Sequence, residues 1–378
     1  METTLEVPQG VFELMRDSKR KPDLLRAWDA ADEYLLDYLD DEQLLVDDVR
    51  ILILNASFGA LSVALHAYHP VAVSDSYLSQ QATASNLLAN DLSLDDVTLH
   101  SILKFPQATY DIVLIKVPKT LALLEYELIK LSDSITSSSR VILAGMLKVL
   151  PSSVWTLCER ILGPTTTSLA KKKSRLIFIA PDDDRVVPEN PYPVSYQLEN
   201  TEYKICNHAN VFSRDSLDIG TRFFLQHILS NTAAKRIIDL GCGNGVVGLI
   251  AAERNPTAAL YFVDESFMAV ASARLNFLSA FAETRQVEFC VADGIEEFES
   301  NSVDMILCNP PFHQQQTLGD HIAQQMFKQS HRVLEQGGEL WIIGNRHLGY
   351  HVSLKRIFGN VVQVATNAKF VILKSLKS

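Results

Sequence analysis

The chain has little of what most special-purpose proteins need. None of its apolar runs approaches the ~20 residues of a membrane span, and Met1-Glu2-Thr3-Thr4 lacks the basic-then-apolar form of a secretory signal. Its 5 cysteines (Cys158, Cys206, Cys242, Cys290, Cys308) are scattered with no Cys-x-x-Cys, and its 10 histidines show no ligand spacing, so neither a disulfide framework nor a metal centre is expected. Positive charge is scarce as well: 34 Lys and Arg against 45 Asp and Glu leave a formal charge of −11. That balance argues against broad, non-specific nucleic-acid binding and allows only a narrow footprint. Much of the acidity is local, in Asp29, Asp32, Glu33, Asp37, Asp40, Asp41 and Glu42. A reduced cytoplasmic protein, monomeric or weakly oligomeric, is expected.

At 378 residues, 47% of them hydrophobic, the chain is long enough for two domains. In its second half, Arg236-Ile237-Ile238-Asp239-Leu240 reads as a buried strand leading into Gly241-Cys242-Gly243-Asn244-Gly245 and a helical Val246–Ala252. Glycines at this spacing let the backbone turn tightly and approach a ligand. The next strand, Ala259–Val263, ends in Asp264-Glu265, where an acidic residue can accept hydrogen bonds from ribose hydroxyls. A third, Val287–Val291, ends in Ala292-Asp293-Gly294. A fourth runs through Met305-Ile306-Leu307-Cys308 into Asn309-Pro310-Pro311-Phe312.

Strands alternating with helices imply a parallel sheet that binds ligands at the carboxyl ends of its strands. A dinucleotide-dependent dehydrogenase accounts for Gly241 to Asp264 but not for Asn-Pro-Pro-Phe. A methyltransferase using S-adenosylmethionine accounts for all four strand ends. The glycine loop would pass the methionine part, with Asp239 and Asn244 shaping it. Asp264, assisted by Glu265, would hold the ribose, and Asp293 with Gly294 would meet the adenine. Asn309 and Pro310 would offer two carbonyl acceptors to a planar amino group, because Pro311 removes the next N–H donor. Phe312 would stack on a base drawn out of its helix.

The first half repeats this pattern in degraded form. Ile51–Leu61 lies over Ile237–Val247, Val71–Ser76 over the strand ending at Asp264-Glu265-Ser266, and Tyr110–Lys119 over Val303–Phe312. Asn55, Ser57 and Phe58 stand where the second half has Gly241, Gly243 and Asn244, and Lys116 stands for Asn309. We therefore expect two tandem Rossmann-like α/β methyltransferase domains. Residues 1–185 form the degenerate copy, 186–196 a proline-rich linker and 197–378 the catalytic copy. The first copy is expected to bind no S-adenosylmethionine, to support the fold and to contact RNA.

Several segments carry a closer likeness: Asn207-His208-Ala209-Asn210-Val211-Phe212-Ser213-Arg214, Leu217–Phe224, Val263–Ser266, Cys308–Gln315, Gly344-Asn345-Arg346-His347-Leu348, and in the first half Ala27–Leu36 and Leu114–Leu124. On these the chain resembles the RsmC/RlmG family of ribosomal RNA guanine-N2 methyltransferases, on its large-subunit (23S) side, over almost its whole length. A departure is Phe267, where relatives often carry proline. The resemblance implies S-adenosylmethionine as cofactor and 23S ribosomal RNA as substrate, with no membrane partner. It places Asp218, Thr221 and Arg222 over the methionine end of the cofactor. Lys116, Lys119, Lys171, Lys172, Lys173 and Arg346 are the candidate RNA contacts. The tetrapeptide itself also suits 16S guanine N2, adenine N6 or glutamine N5, and a non-catalytic RNA-binding assembly factor is a further reading.

Overall fold

The computed structural model describes residues 2–16, 25–230, 234–281, 285–311 and 316–378, the side chains of 316–320 excepted. It divides into two compact units, Met1–Pro191 and Tyr192–Ser378, the break falling inside the proline-rich segment.

The first unit opens on a hairpin, β1 (Thr4–Val7) and β2 (Gly10–Glu13), followed by α1 (Ala30–Asp41). Asp29 caps α1 by accepting from the Ala31 and Asp32 amides, and Asp32 returns the bond to the Asp29 amide, a reciprocal box that fixes where the helix begins. Next come β3 (Ile51–Leu54), α2 (Ala60–Ala64), β4 (Val71–Ser74), α3 (Tyr77–Ala89), β5 (Thr98–Ser101) and β6 (Ile112–Lys116). The unit ends with α4 (Leu121–Leu131), β7 (Arg140–Met146), α5 (Ser153–Ile161), β8 (Thr165–Thr167) and β9 (Ser174–Ile179). Every residue of β3 is buried, as expected for a strand covered on both faces. The sheet order is β5-β4-β3-β6-β7-β9-β8. Strands β5 to β7 are parallel, and β9 and β8 close the edge antiparallel.

The second unit repeats this plan. A hairpin, β10 (Val194–Gln197) and β11 (Lys204–Asn207), leads to α6 (Ile219–Leu225), β12 (Arg236–Leu240), α7 (Val246–Arg254), β13 (Ala259–Asp264), α8 (Phe267–Phe281) and β14 (Val287–Val291). Then follow β15 (Val303–Cys308), α9 (Gln316–Val333), β16 (Leu334–Asn345), α10 (Tyr350–Phe358), β17 (Val362–Thr366) and β18 (Phe370–Leu376). The order β14-β13-β12-β15-β16-β18-β17 is that of the first sheet, strand for strand. Alternation along each strand sends Ile237, Leu260, Phe262 and Leu307 into one core with α7 and α8, and Ile238, Val263, Ile306 and Cys308 into the other with α9 and α10. In each unit the chain leaves the sheet centre on one side and returns on the other, between β3 and β6 and between β12 and β15. Such a reversal of strand order opens a crevice at the strand ends.

One device recurs that no periodicity announces. Asn276 of α8 accepts from the Cys206 amide (2.7 Å) and donates to the Cys206 and Asn244 carbonyls (2.9 and 2.8 Å). Asn86 of α3 does the same to Met15 and Phe58, at 2.9, 2.9 and 2.8 Å. Each clamps the opening hairpin of its unit to the loop after the central strand.

Candidate active site

The glycine loop of the second unit is held open by its own backbone. Gly241, Gly243 and Gly245 all have positive φ (+71°, +53° and +78°), a region that favours glycine. The amides of Gly241 and Cys242 both bond to the Val263 carbonyl, at 2.8 and 3.0 Å. Asp264 completes the frame: one carboxylate oxygen accepts from the Gly243 amide (2.9 Å), the other from the Ser266 amide (3.0 Å). Burial pushes the Asp264 carboxyl above its usual range, and these N–H groups pull it back.

The glycines have different roles. A Cβ on Gly243 would meet nothing within 4 Å, and one on Gly241 only the end of Met326, so these two face open space where a ligand can lie against the backbone. A Cβ on Gly245 would stand 2.7 Å from Ala273, and one on Gly248 2.3 Å from Phe262, so these two permit helix packing. Gly294 likewise packs, against Gln329.

Asn244 is buried and its amide is consumed by Asn207 (2.9 Å), Tyr196 (3.3 Å) and the Val246 amide (3.2 Å). Asp239 is 3% exposed, accepts from the Gly248 amide at 2.7 Å, and is pushed up to about 8 by burial. The Asn244 side chain and the Cβ positions of Gly245 and Gly294 thus face the protein, in keeping with Asn244 as a residue that shapes the loop. Asp239 and Asn207 belong with them. Asn207 had not been singled out as a site residue; its signal was the Asn-His-Ala-Asn run itself.

Across the switch point, β15 delivers Asn309. Its Nδ2 donates to Thr221 Oγ1 (3.1 Å), while Asp218, the cap of α6, accepts from the Thr221 amide (2.8 Å) and hydroxyl (3.3 Å). The Asn309 Oδ1 is buried and, among the described residues, without a partner. Thr221 and Asp218, expected over the cofactor, are thus joined to the acceptor amide. Arg222 pairs outward with Glu199 (2.8 Å). Asp293 and Glu265 lie just beyond the ends of β14 and β13, beside Asp264. Pro310 is buried and Pro311 exposed, and Phe312 lies outside the described residues.

Sheet register places the counterpart of each group in the first unit. Leu54 pairs with Val73 and Ile115, as Leu240 pairs with Val263 and Cys308. Asn55 therefore holds the place of Gly241 and adopts its left-handed backbone (φ +64°), Ser74 that of Asp264, and Lys116 that of Asn309. The Lys116 side chain, 14% exposed, bonds to Asp29 (2.7 Å) and Asp32 (2.9 Å). Burial works against its charge, yet Asp32 and Asp29 hold its pKa above the ordinary lysine value. The Asp218–Thr221–Asn309 chain has become an ion triad of cap, third helical residue and strand end.

Lys116, expected among the RNA contacts, thus has its charge paired inside the unit. Lys171 and Lys172 pair with Asp37 (2.6 Å) and Glu33 (2.7 Å) on α1, which offsets their charge too. Lys119, Lys173 and Arg346 are exposed. Among the described residues no helix is long and apolar enough to cross a membrane, and no His, Cys, Asp and Glu cluster is placed to hold a metal.

Sheet order, glycine loop, strand-end carboxylate and acceptor amide define the class, a methyltransferase fold present twice in one chain. Residues 2–183 match the family described as RLMG N-terminal domain, and residues 202–374 the Methyltransferase small domain. Proteins named ribosomal RNA large subunit methyltransferase G are 48% identical over 99% of both chains in Stutzerimonas stutzeri, and 49% identical over the full length of both in Aeromonas hydrophila. The chain belongs to the ribosomal RNA large subunit methyltransferase G family. A solved T. thermophilus 16S rRNA N2 methyltransferase (RsmC), in complex with AdoMet and guanosine, shares the fold over 100% of this chain and 98% of its own, with a TM-score of 0.77 at 22% identity.

Proposed function

We propose that the second unit transfers a methyl group from S-adenosylmethionine to the exocyclic N2 of a guanine in 23S ribosomal RNA. The observation that carries this reading is Asn309 Oδ1, a buried acceptor with no donor among the described residues, at the switch point beside an open glycine cradle. A polar atom buried unpaired costs about 1–3 kcal/mol, and an amino group entering there relieves it.

The open backbone at Gly241 and Gly243 fits the cofactor, since Cβ atoms at those positions would fill the cradle. These glycines would pass its methionine part, Asp264 with Glu265 its ribose and Asp293 its adenine. When bound, it supplies a methyl group already activated by a sulfonium. The protein's task is then positioning. A carboxylate accepts and does not donate, so Asp218 obliges the Thr221 hydroxyl to donate to it. The same hydroxyl must accept from Asn309 Nδ2, and that fixes the amide with Oδ1 towards the substrate. Guanine N2 is a poor nucleophile because its lone pair is delocalised into the ring. Its two N–H groups, held by Asn309 Oδ1 and the Pro310 carbonyl, turn the nitrogen out of conjugation. Both acceptors strengthen as positive charge grows on N2, and the surplus proton leaves to water, so no strong base is required. The first unit has Ser74 and Lys116 at the corresponding strand ends. We assign it no methyl transfer, and give it support of the fold and contact with RNA through Lys119 and Lys173.

The test is incubation with labelled S-adenosylmethionine and separated large- and small-subunit RNA, with primer extension to locate the base. Label should enter the large-subunit RNA at a guanine. Asn309→Ala should lower the rate by ~100-fold or more, the scale of removing one transition-state acceptor, and leave cofactor affinity nearly intact. Full turnover by that variant, or label confined to small-subunit RNA or protein, would sink the reading.

A further inference from the structure

Reading across the second sheet, the polar groups at the strand ends fall in an order. Asp293 lies beyond β14, Asp264 ends β13, the glycine loop follows β12, and Asn309 follows β15. The next strand, β16, runs past its neighbour and ends in Asn345, with Arg346 and His347 directly after it. Around them lies a shallow hollow of about 640 Å³ lined by Asn345, Arg346, His347, Ala368 and Lys369. The Arg346 amide bonds to the Lys369 carbonyl (3.0 Å), which ties the end of β16 to the turn between β17 and β18 and keeps the two cations on one wall.

Three features mark this hollow. The chain is acidic overall, and several cations of the second unit are neutralised: Arg222 by Glu199, Arg214 by Asp215 and Lys374 by Glu339. Among the described residues, no ion pair is recorded for Arg346, His347 or Lys369. In its lining, Asn345 Oδ1 is buried and has no partner among the described residues. The hollow also stands on the acceptor side of Asn309, one strand away from the amide and opposite to the glycine loop. Neighbouring strands are about 4.8 Å apart, so its wall begins within one nucleotide's reach of the acceptor.

Cations beside a cationic methyl donor would repel it. Their place one strand beyond the acceptor amide suits a polyanion that presents its base to Asn309. We propose that Arg346, His347 and Lys369 form a seat for the sugar–phosphate of the RNA next to the target guanine. Arg346 and Lys369 take phosphate oxygens, and Asn345 Oδ1 accepts from a ribose 2′-hydroxyl, the group that distinguishes RNA from DNA. This rests on the reading of the second unit as an RNA methyltransferase and adds where that RNA is gripped. The grip is small, in keeping with the charge of −11.

The experiment is binding of protein-free 23S ribosomal RNA to the full chain across a KCl titration, for the wild type and for Arg346→Ala combined with Lys369→Ala. Circular dichroism and S-adenosylmethionine affinity by dialysis are followed in parallel. Loss of two phosphate contacts should flatten the slope of log Kd against log[KCl] by about 1.5. Affinity at low salt should weaken about tenfold, with cofactor affinity and circular dichroism unchanged. If the double variant binds RNA with the wild-type slope and affinity, the seat is wrong, whatever the enzyme methylates. If the slope flattens as expected but no methyl enters the RNA, the seat stands and the methyl-transfer reading falls. A wild type whose binding to 23S RNA ignores salt overturns the seat as well.

Discussion

Thr221 gives the sharpest test of how the acceptor amide is set. Thr221→Val keeps the shape and the β-branch but removes the hydroxyl that accepts from Asn309 Nδ2 at 3.1 Å and donates to Asp218 at 3.3 Å. The cap survives, because Asp218 accepts from the Thr221 backbone amide at 2.8 Å. The loss is then local. A hydrogen bond in a buried site contributes about 1–2 kcal/mol of preference for one amide orientation, and at 1.36 kcal/mol per tenfold the transfer rate should fall about 5- to 30-fold. The same deletion leaves Nδ2 without the acceptor it has in Thr221, so stability should drop by about 1 kcal/mol. Single-turnover methyl transfer to saturating 23S RNA reads the rate, and dialysis reads cofactor affinity. We expect the first to fall, the second to stay within about twofold, and Thr221→Ser to recover most of the rate. A Thr221→Val enzyme with wild-type turnover refutes the reasoning, as do parallel losses of rate and cofactor affinity, which would return Thr221 to the cofactor.

Two other outcomes follow from the same geometry. Gly243→Ala should fold with a penalty of about 1–2 kcal/mol for its left-handed backbone and bind S-adenosylmethionine about tenfold more weakly, about 1.4 kcal/mol. Gly245→Ala should destabilise the unit by about 3 kcal/mol, because its Cβ would meet Ala273 at 2.7 Å and backbone cannot yield; urea titration and dialysis together separate the two. In the first unit, burial pushes Glu127 up to about 8 against a partial correction from Asn55, whose amide donates to it at 3.0 Å. The folded unit therefore keeps a proton that the unfolded chain sheds near 4.5, and stability should fall as pH rises from about 4.5 to about 8, then level. Glu127→Gln should remove that slope and unfold at higher urea than the wild type at pH 8; equal midpoints at pH 8 would show that the buried carboxyl titrates normally.

The fold was legible because its signals are local. Buried strands such as Ile51–Leu54 run apolar without break, glycines mark the turn after Leu240, and the ordered strand ends expose the duplication. Of the candidate site, the strand-end positions were legible, as at Asp264, which ends β13, and Asn309, which follows β15. Contacts that depend on a distant partner were not. Lys116 read as a surface cation because Asp29, its partner at 2.7 Å, is 87 residues away. Asn244 was legible as a residue that shapes the loop, but its partners Asn207 and Asn276, 37 and 32 residues away, were not. The Asn86 and Asn276 clamps span 71 and 70 residues and leave no period to detect.

The ion triad of the first unit has a consequence for descent. Restoring an acceptor by Lys116→Asn would strand Asp29 and Asp32 together around a neutral amide. Asp32 is almost wholly buried, and burial already pushes its carboxyl upward. Breaking a buried pair from one side costs about 3–5 kcal/mol, a large share of a domain's stability. A single substitution at Lys116 is therefore costly in the present fold. The lysine and its two carboxylates hold one another in place, and together with Asn55 and Ser74 they set the first unit several coordinated substitutions away from a second methyl-transfer site.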